Sequence, residues 1–249
     1  MTKRKLLGIL LFLCPFVAGL AQDAVPAEIL QRTVMIRTAT EQGTGFLIDY
    51  KGKLYMVTAR HVLAGQPADK ATIQVRRNGE WLSLPPSKIL YPKSDEVDIA
   101  VLKTDGAVSK PFGIVPAAGT GGATMGQQVW FLGYPFLEGL SSHWKNGEAP
   151  FIKRGTMSAI VATNPDAVLL YIDGFNNEGF SGGPIVFWDF SDHVYKILGV
   201  VKGYKPEAAK VIINGQAINT NVLVDSGILV GYGIGYAIQA IENDAKQIK

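Results

Sequence analysis

Three side chains in this sequence have the types and the order for nucleophilic catalysis: His61, Asp98 and Ser181. Ser181 sits in Glu178-Gly179-Phe180-Ser181-Gly182-Gly183-Pro184, where glycines remove side-chain bulk on both sides of one hydroxyl. Glycine also permits φ > 0, so the backbone can bend sharply there. Pro184 then fixes φ, and Ile185-Val186-Phe187-Trp188 follows as an apolar run of buried-strand type. Such a turn presents a hydroxyl, and the amides beside it, to an incoming carbonyl. His61 stands in Val57-Thr58-Ala59-Arg60-His61-Val62-Leu63, at the end of a strand pattern. Asp98 opens Val97-Asp98-Ile99-Ala100-Val101-Leu102. A serine hydroxyl is a poor nucleophile until a base takes its proton as it attacks. A neutral imidazole does this near pH 7. Each residue also has a plainer reading when taken singly: a glycine-rich turn, a satisfied core histidine, a strand-edge charge.

The elements that must position these groups read as strands. Thr33 to Ala39 alternates, and Gly43-Thr44-Gly45-Phe46-Leu47-Ile48-Asp49 feeds a strand that Lys51-Gly52 turns into Leu54-Tyr55-Met56-Val57-Thr58. Asn78-Gly79 predicts a second hairpin, between Ala71–Arg76 and Glu80–Leu84. Further strands are expected at 98–103, 128–133, 154–162, 167–172, 185–187, 195–203 and 231–238. A short helical turn is expected near Pro26 to Leu30. The tail from Gln239 carries Ile241, Ala245 and Ile248 at helical spacing, which predicts a short C-terminal helix. Many short strands with Gly/Pro turns argue an all-β sandwich or barrel. Residues 104–126 shift to Gly, Ala, Pro and Thr, and divide the strands into two comparable groups.

The chain has 249 residues, 47% of them hydrophobic, enough for a substantial core. Residues 1–21 have the form of a secretory signal peptide: Lys3-Arg4-Lys5, an apolar stretch from Leu6 to Leu20, and small Gly19 and Ala21 before a cut at Gln22. The competing reading is a retained anchor, for which the apolar run is short. Removing the segment takes Cys14, the one cysteine, so no disulfide is expected. It also removes three of the 24 Lys+Arg and none of the 21 Asp+Glu, which leaves 21 of each sign. That balance gives no reason to expect nucleic acid, or a membrane surface after signal removal, as a partner. The destination is periplasmic or extracellular.

The three patterns, in this order, resemble the trypsin-like (chymotrypsin-fold) serine peptidases, most nearly the bacterial HtrA-like peptidases. Gly43-Thr44-Gly45-Phe46 is similar to the family's Gly-Ser/Thr-Gly-Phe strand before the histidine. Phe131-Leu132-Gly133-Tyr134-Pro135-Phe136 resembles its Gly-x-Pro-Phe segment. Gly155-Thr156-Met157-Ser158-Ala159-Ile160-Val161 is similar to a wall strand of its second barrel. Gly233-Ile234-Gly235-Tyr236-Ala237-Ile238 resembles its closing strand. The likeness spans residues 33–240. It implies an all-β fold of two six-stranded antiparallel β-barrels packed together, with a short C-terminal helix. The expected division is a signal peptide (1–21), a first barrel carrying His61 and Asp98 (22–112), a linker (113–126), and a second barrel carrying Ser181 with the helix (127–249). The implied activity is that of a serine endopeptidase on polypeptide substrates, without metal or other cofactor. Ser181 would be the nucleophile, His61 the general base and acid, and Asp98 the group that orients His61. The backbone N–H groups of Gly179 and Ser181 would stabilise the oxyanion.

The departures from the family pattern carry their own expectations. Phe180 stands where digestive enzymes carry an Asp that pairs with a new N-terminus, and no Ile-Val-Gly-Gly start is present. Phe180 is instead expected to anchor the serine loop by packing into the second barrel, with the readiness of the oxyanion hole left open. An impaired, peptide- or partner-binding protein on the same fold is the alternative. No PDZ domain is expected after the last barrel strand, and the oligomeric state is open. The primary pocket would be walled by residues 173–177 and 200–204, so Phe175, Glu178, Lys202, Gly203 and Tyr204 are the expected substrate contacts. Phe175, at the position of trypsin's base-selecting Asp, favours an apolar or small side chain over Lys/Arg. A shift of two positions would put Asp173 there and reverse that preference. His143 and His193 lie in polar stretches and have no metal-ligand spacing. Residues 134–153 and 204–230 are long insertions, open to a functional or a decorative role.

Overall fold

The computed structural model describes residues 24–104, 122–136, 142–144, 147–164 and 166–247. The expected signal segment, most of the linker and Ile248 lie outside the described residues. Local turn chemistry sets the register of three hairpins. Lys51-Gly52, Asn78-Gly79 and Asn214-Gly215 all have positive φ at both residues, and each closes a two-residue loop (Tyr50↔Lys53, Arg77↔Glu80, Ile213↔Gln216). That geometry matches the right-handed twist of the strands it joins.

The first sheet is built from β1 (Thr33–Arg37), β2 (Gln42–Tyr50), β3 (Lys53–Thr58), β4 (Gln74–Arg77), β5 (Glu80–Ser83), β6 (Ile89–Leu90) and β7 (Ala100–Lys103). Its order is β5-β4-β1-β2-β3-β7-β6, all antiparallel. It therefore has seven strands where six were expected, because the chain breaks into the short β6 before β7. A short helix α1 (Ala27–Arg32) precedes β1. After β8 (Gln128–Gly133) comes a two-strand flap, β9 (His143–Trp144) and β10 (Gly147–Glu148), within the long stretch 134–153. The second sheet is a closed six-stranded barrel, β11-β12-β15-β14-β13-β8. Its other members are β11 (Phe151–Asn164), β12 (Ala167–Asp173), β13 (Pro184–Asp189), β14 (Val194–Ile213) and β15 (Gln216–Gly233). The expected all-β architecture of two antiparallel sheets with a short C-terminal helix is present, but among the described residues only the second sheet closes into a barrel.

The two sheets share a core. Phe46, Val57 and Val101 of the first pack in one buried cluster with Leu132, Val186 and Val200 of the second. Apolar burial at about 25 cal/mol per Å² makes this seam the main force holding the sheets together.

Two sequence expectations need correction. The insertion 204–230 is not a loop: β14 and β15 continue past the barrel as a two-stranded ribbon turned by Asn214-Gly215. The Asn-Gly signal was present, but few alternating residues flank it, because no face of the ribbon is buried. The last strand does not run to Ile238. It ends at Gly233, and α2 occupies Gly235–Gln247. The buried stripe of α2 is Ala237, Ala240, Ile241 and Asp244, with Ala245 exposed. The strand-like Gly-Ile-Gly-Tyr-Ala-Ile pattern concealed the first turn of a helix whose first buried positions, Ala237 and Ala240, are small.

Candidate active site

The base and its orienting acid come from the end of one strand and the approach to another. β3 delivers the chain to a single 3-10 turn, Arg60–Leu63, pinned by buried Val62 and Leu63. His61 lies on the open side of that turn. Asp98 is held between Val97 and Ile99, both fully buried, just before β7. The carboxylate grips His61 twice: Oδ1 accepts the backbone N–H at 2.9 Å and Oδ2 meets Nδ1 at 2.7 Å. A carboxylate only accepts, so Nδ1 carries the proton and Nε2 is left as an acceptor. The Asp98 side chain is 14% exposed and that of His61 47% exposed. The hydrogen bond to Asp98 raises the His61 pKa above its ordinary value, and burial opposes it. Arg60 stacks on Tyr91 and pairs with Asp95 at 2.9 Å, which braces the loop leading to Asp98.

The serine loop lies between β12 and β13. Phe180 is fully buried and meets Phe131 of β8 edge-on, with ring centroids 5.7 Å apart. It anchors the loop in the barrel, as its place beside the serine suggested. Gly179 has φ +96, and a Cβ there would lie 2.1 Å from the Tyr134 carbonyl. Gly182 has φ +85, and a Cβ would lie 2.2 Å from both the Thr44 carbonyl and the Thr58 hydroxyl. The strained backbone and the close approach both demand glycine.

From Gly179 to Gly183 the loop's hydrogen bonds leave two N–H groups over. All four carbonyls from Glu178 to Ser181 are engaged: Glu178 by the Phe136 N–H (3.1 Å), Gly179 by the Thr44 hydroxyl (2.7 Å), Phe180 by the Gly183 N–H (2.8 Å), and Ser181 by the Thr44 N–H (2.9 Å). The N–H groups of Phe180, Gly182 and Gly183 have carbonyl partners. Those of Gly179 and Ser181 have no acceptor among the described residues. In a trans peptide the N–H opposes the C=O. The Glu178 carbonyl faces Phe136, so the Gly179 N–H points away from it. The Ser181 hydroxyl donates to the Lys202 carbonyl at 3.1 Å.

The residues expected to wall the primary pocket reach the surface to different extents. Phe175 is 57% exposed, Glu178, Lys202 and Tyr204 are exposed, and Gly203 is half-buried. Asp173 ends β12, exposed and paired in register with Ile228. Lys153 carried no recognisable signal in the sequence. Its ammonium donates to the Phe175 carbonyl at 2.9 Å and to Asn177 Oδ1, and lies over the Phe175 and Phe180 rings. Burial lowers its pKa. It braces the wall before the serine. His193 is an exposed turn residue with φ +53.

Residues 43–190, more than half of the chain, match the sequence model of the family described as a trypsin-like peptidase domain. The chain belongs to the trypsin-like peptidases. No curated protein sequence matches it. Solved trypsin-like structures share its fold at low identity. The Rv3671c protease of M. tuberculosis in its active form superposes with TM-score 0.53 at 22% identity, over 87% of this chain and 82% of that one. Its inactive form gives 0.53 at 21%, over 87% and 90%. The HtrA-type protease AlgW, solved with a tripeptide, gives 0.54 at 19%, over 86% of this chain and 60% of that one. In this trypsin-like peptidase the fold brings the Ser181 loop against β2 and pairs Asp98 with His61. Thr44 is the residue whose part was missed. Its signal was a hydroxyl between two glycines in an otherwise apolar strand, which must find partners when buried.

Proposed function

We propose that this chain is an exported serine endopeptidase in which Ser181, His61 and Asp98 form a catalytic triad. The observation that carries the reading is the pair of unpartnered N–H groups, Gly179 and Ser181, on either side of Phe180 in a loop whose carbonyls from 178 to 181 and whose Phe180, Gly182 and Gly183 N–H groups are all bonded. Two free donors beside a serine hydroxyl are what a tetrahedral oxyanion requires.

The reaction starts with a rotation of the Ser181 hydroxyl from the Lys202 carbonyl to His61 Nε2, exchanging one neutral hydrogen bond for another. Oγ then attacks the substrate carbonyl carbon as its proton passes to Nε2. Asp98 keeps the imidazole in the Nδ1–H tautomer and stabilises the imidazolium without taking the proton. The carbonyl oxygen becomes an oxyanion and receives the Gly179 and Ser181 N–H groups. Collapse breaks the C–N bond, and His61 returns its proton to the leaving amine. Water attacks the acyl-enzyme with His61 again as base, releasing the acid and restoring Ser181. Phe175, Glu178, Lys202, Gly203 and Tyr204 line the substrate's approach. Export rests on the Lys3-Arg4-Lys5 and apolar pattern of residues 1–21. No helix among the described residues is long and apolar enough to cross a membrane.

The Lys202 hydrogen bond supports a second reading, a binding protein whose serine is held off the base. A serine-directed fluorophosphonate probe separates the two. The mature wild type is expected to label and to cleave casein, and Ser181→Ala to do neither. A folded wild type that neither labels nor cleaves would leave only the binding reading.

A further inference from the structure

The serine loop is held from outside its own barrel, by one residue of the first sheet. Thr44 lies in β2 and is fully buried. Its four hydrogen-bonding functions are all used. The N–H donates to the Ser181 carbonyl at 2.9 Å. The hydroxyl donates to the Gly179 carbonyl at 2.7 Å and accepts the Tyr134 N–H at 3.1 Å. The carbonyl accepts the Thr58 hydroxyl at 2.8 Å. Thr58 ends β3, the strand that delivers His61.

We propose that Thr44 is the positioning residue for the two oxyanion donors, a role that rests on the peptidase reading above. Gly179 sits at φ +96 and has no side chain to restrict it. A glycine in that region reaches other conformations at little cost, and turning its peptide would lose the donor. The restraint must come from bonds made by neighbours. The Phe136 and Gly183 N–H groups hold the carbonyls of the two donor peptides themselves, those of Glu178 and Phe180. Thr44 fixes the next peptide after each donor, by holding the carbonyl of Gly179 and that of Ser181, so that neither residue can turn about its own backbone. Through Thr58 the same residue ties the loop to the strand carrying the base. It thereby sets nucleophile, donors and base relative to one another across two sheets.

The chemistry requires a hydroxyl there. One oxygen must donate to Gly179 and accept from Tyr134 at once, which Ser can do and Val cannot. Valine keeps threonine's shape but leaves the buried Gly179 carbonyl and Tyr134 N–H without partners.

The test compares Thr44→Val with Thr44→Ser in the full chain, each checked for a native melting curve. For a peptide substrate, Thr44→Val is expected to lower kcat about 10- to 100-fold with KM within threefold, a loss confined to the transition state. Thr44→Ser is expected to recover kcat to within about threefold of wild type. The acid limb of the pH–rate profile should stay in place, because the His61–Asp98 pair is untouched. Amide hydrogen exchange over residues 178–183 should quicken in Thr44→Val and not in Thr44→Ser. Unchanged kcat in a folded Thr44→Val would overturn the assignment, as would a Thr44→Ser variant that falls equally far. If the wild type neither labels with fluorophosphonate nor cleaves peptide, the peptidase reading fails by itself. The exchange comparison then decides the clamp alone, and equal exchange in the Val variant and wild type refutes it.

Discussion

The His61–Asp98 pair links pH to activity and to stability in opposite directions. Its hydrogen bond raises the His61 pKa above 6.5 in the folded chain. A group with a raised folded pKa stabilises the fold fully below its unfolded pKa, and that contribution is lost as pH rises through the folded value. The protonated form that stabilises is also the form that cannot act as base. The acid limb of kcat/KM is therefore expected above pH 6.5, in the range where the pair's contribution to stability fades. A pH–rate profile with a limb at or below 6.5 would contradict this. Asp98→Asn removes the largest cause of the raised pKa and the tautomer control together. It is expected to cost about 10³–10⁴-fold in kcat, by analogy with the known serine-protease case. The limb should also move to lower pH. Residue types and their order made the His61–Asp98 pair, and the serine loop proposed to work with it, legible in the sequence. The Ser181 rotamer, the Thr44 clamp and the Lys153 brace were not, because each depends on which backbone carbonyls come within hydrogen-bonding reach after folding.

Among the elements, the serine loop and the ribbon contrast in burial: one is anchored in the barrel interior and the other is open to solvent. The loop is fastened by Phe180 in the barrel interior, so Phe180→Ala removes a fully buried ring. Such truncations cost about 3–5 kcal/mol. Phe180→Leu, which keeps most of the volume, should cost less, and denaturant melts of the two variants give the comparison. The ribbon is the contrary case. Residues 206–224 are exposed or half-buried, with Leu223 73% exposed, and they add no side chain to the core. Replacing 206–225 by a two-residue Asn-Gly turn is therefore expected to shift the melting temperature by no more than about 4 °C, since little burial is lost. A larger fall would mean that the ribbon supports the barrel. Both elements were visible in the sequence, but unequally. The loop announced itself by four small or rigid residues around one serine. The ribbon buries neither face, so it lacked the alternation that marks a strand, and only Asn214-Gly215 pointed to a hairpin.

At the scale of the whole molecule, the question is whether two sheets make two folding units. The order of strands in the sequence suggests two, and the packing argues for one. The largest cluster takes residues from both sheets and from α2. The helix follows the second barrel in the chain yet reaches back to the first sheet. Glu242 accepts from the Tyr50 hydroxyl at 2.6 Å and pairs with Lys51 at 3.0 Å, and Asp244 pairs with Lys88. Ile241 is 4% exposed at the centre of this contact. The Lys51–Glu242 pair is exposed and worth little, and Asp244 loses hydration in meeting Lys88, so the apolar contact should dominate. Ile241→Ala is expected to cost about 2–4 kcal/mol. Because the seam is shared, the loss should lower one cooperative transition and not split it. The position of the tryptophans allows a direct check. Trp81 reports on the first sheet, and Trp130 and Trp188 on the barrel. Single-tryptophan variants should melt at the same midpoint in wild type, and at the same lowered midpoint with Ile241→Ala. Two separated midpoints in the wild type would show that the sheets unfold independently. The cleft between them would then be a contact of two units, and the Thr44 clamp would span a joint and not a core.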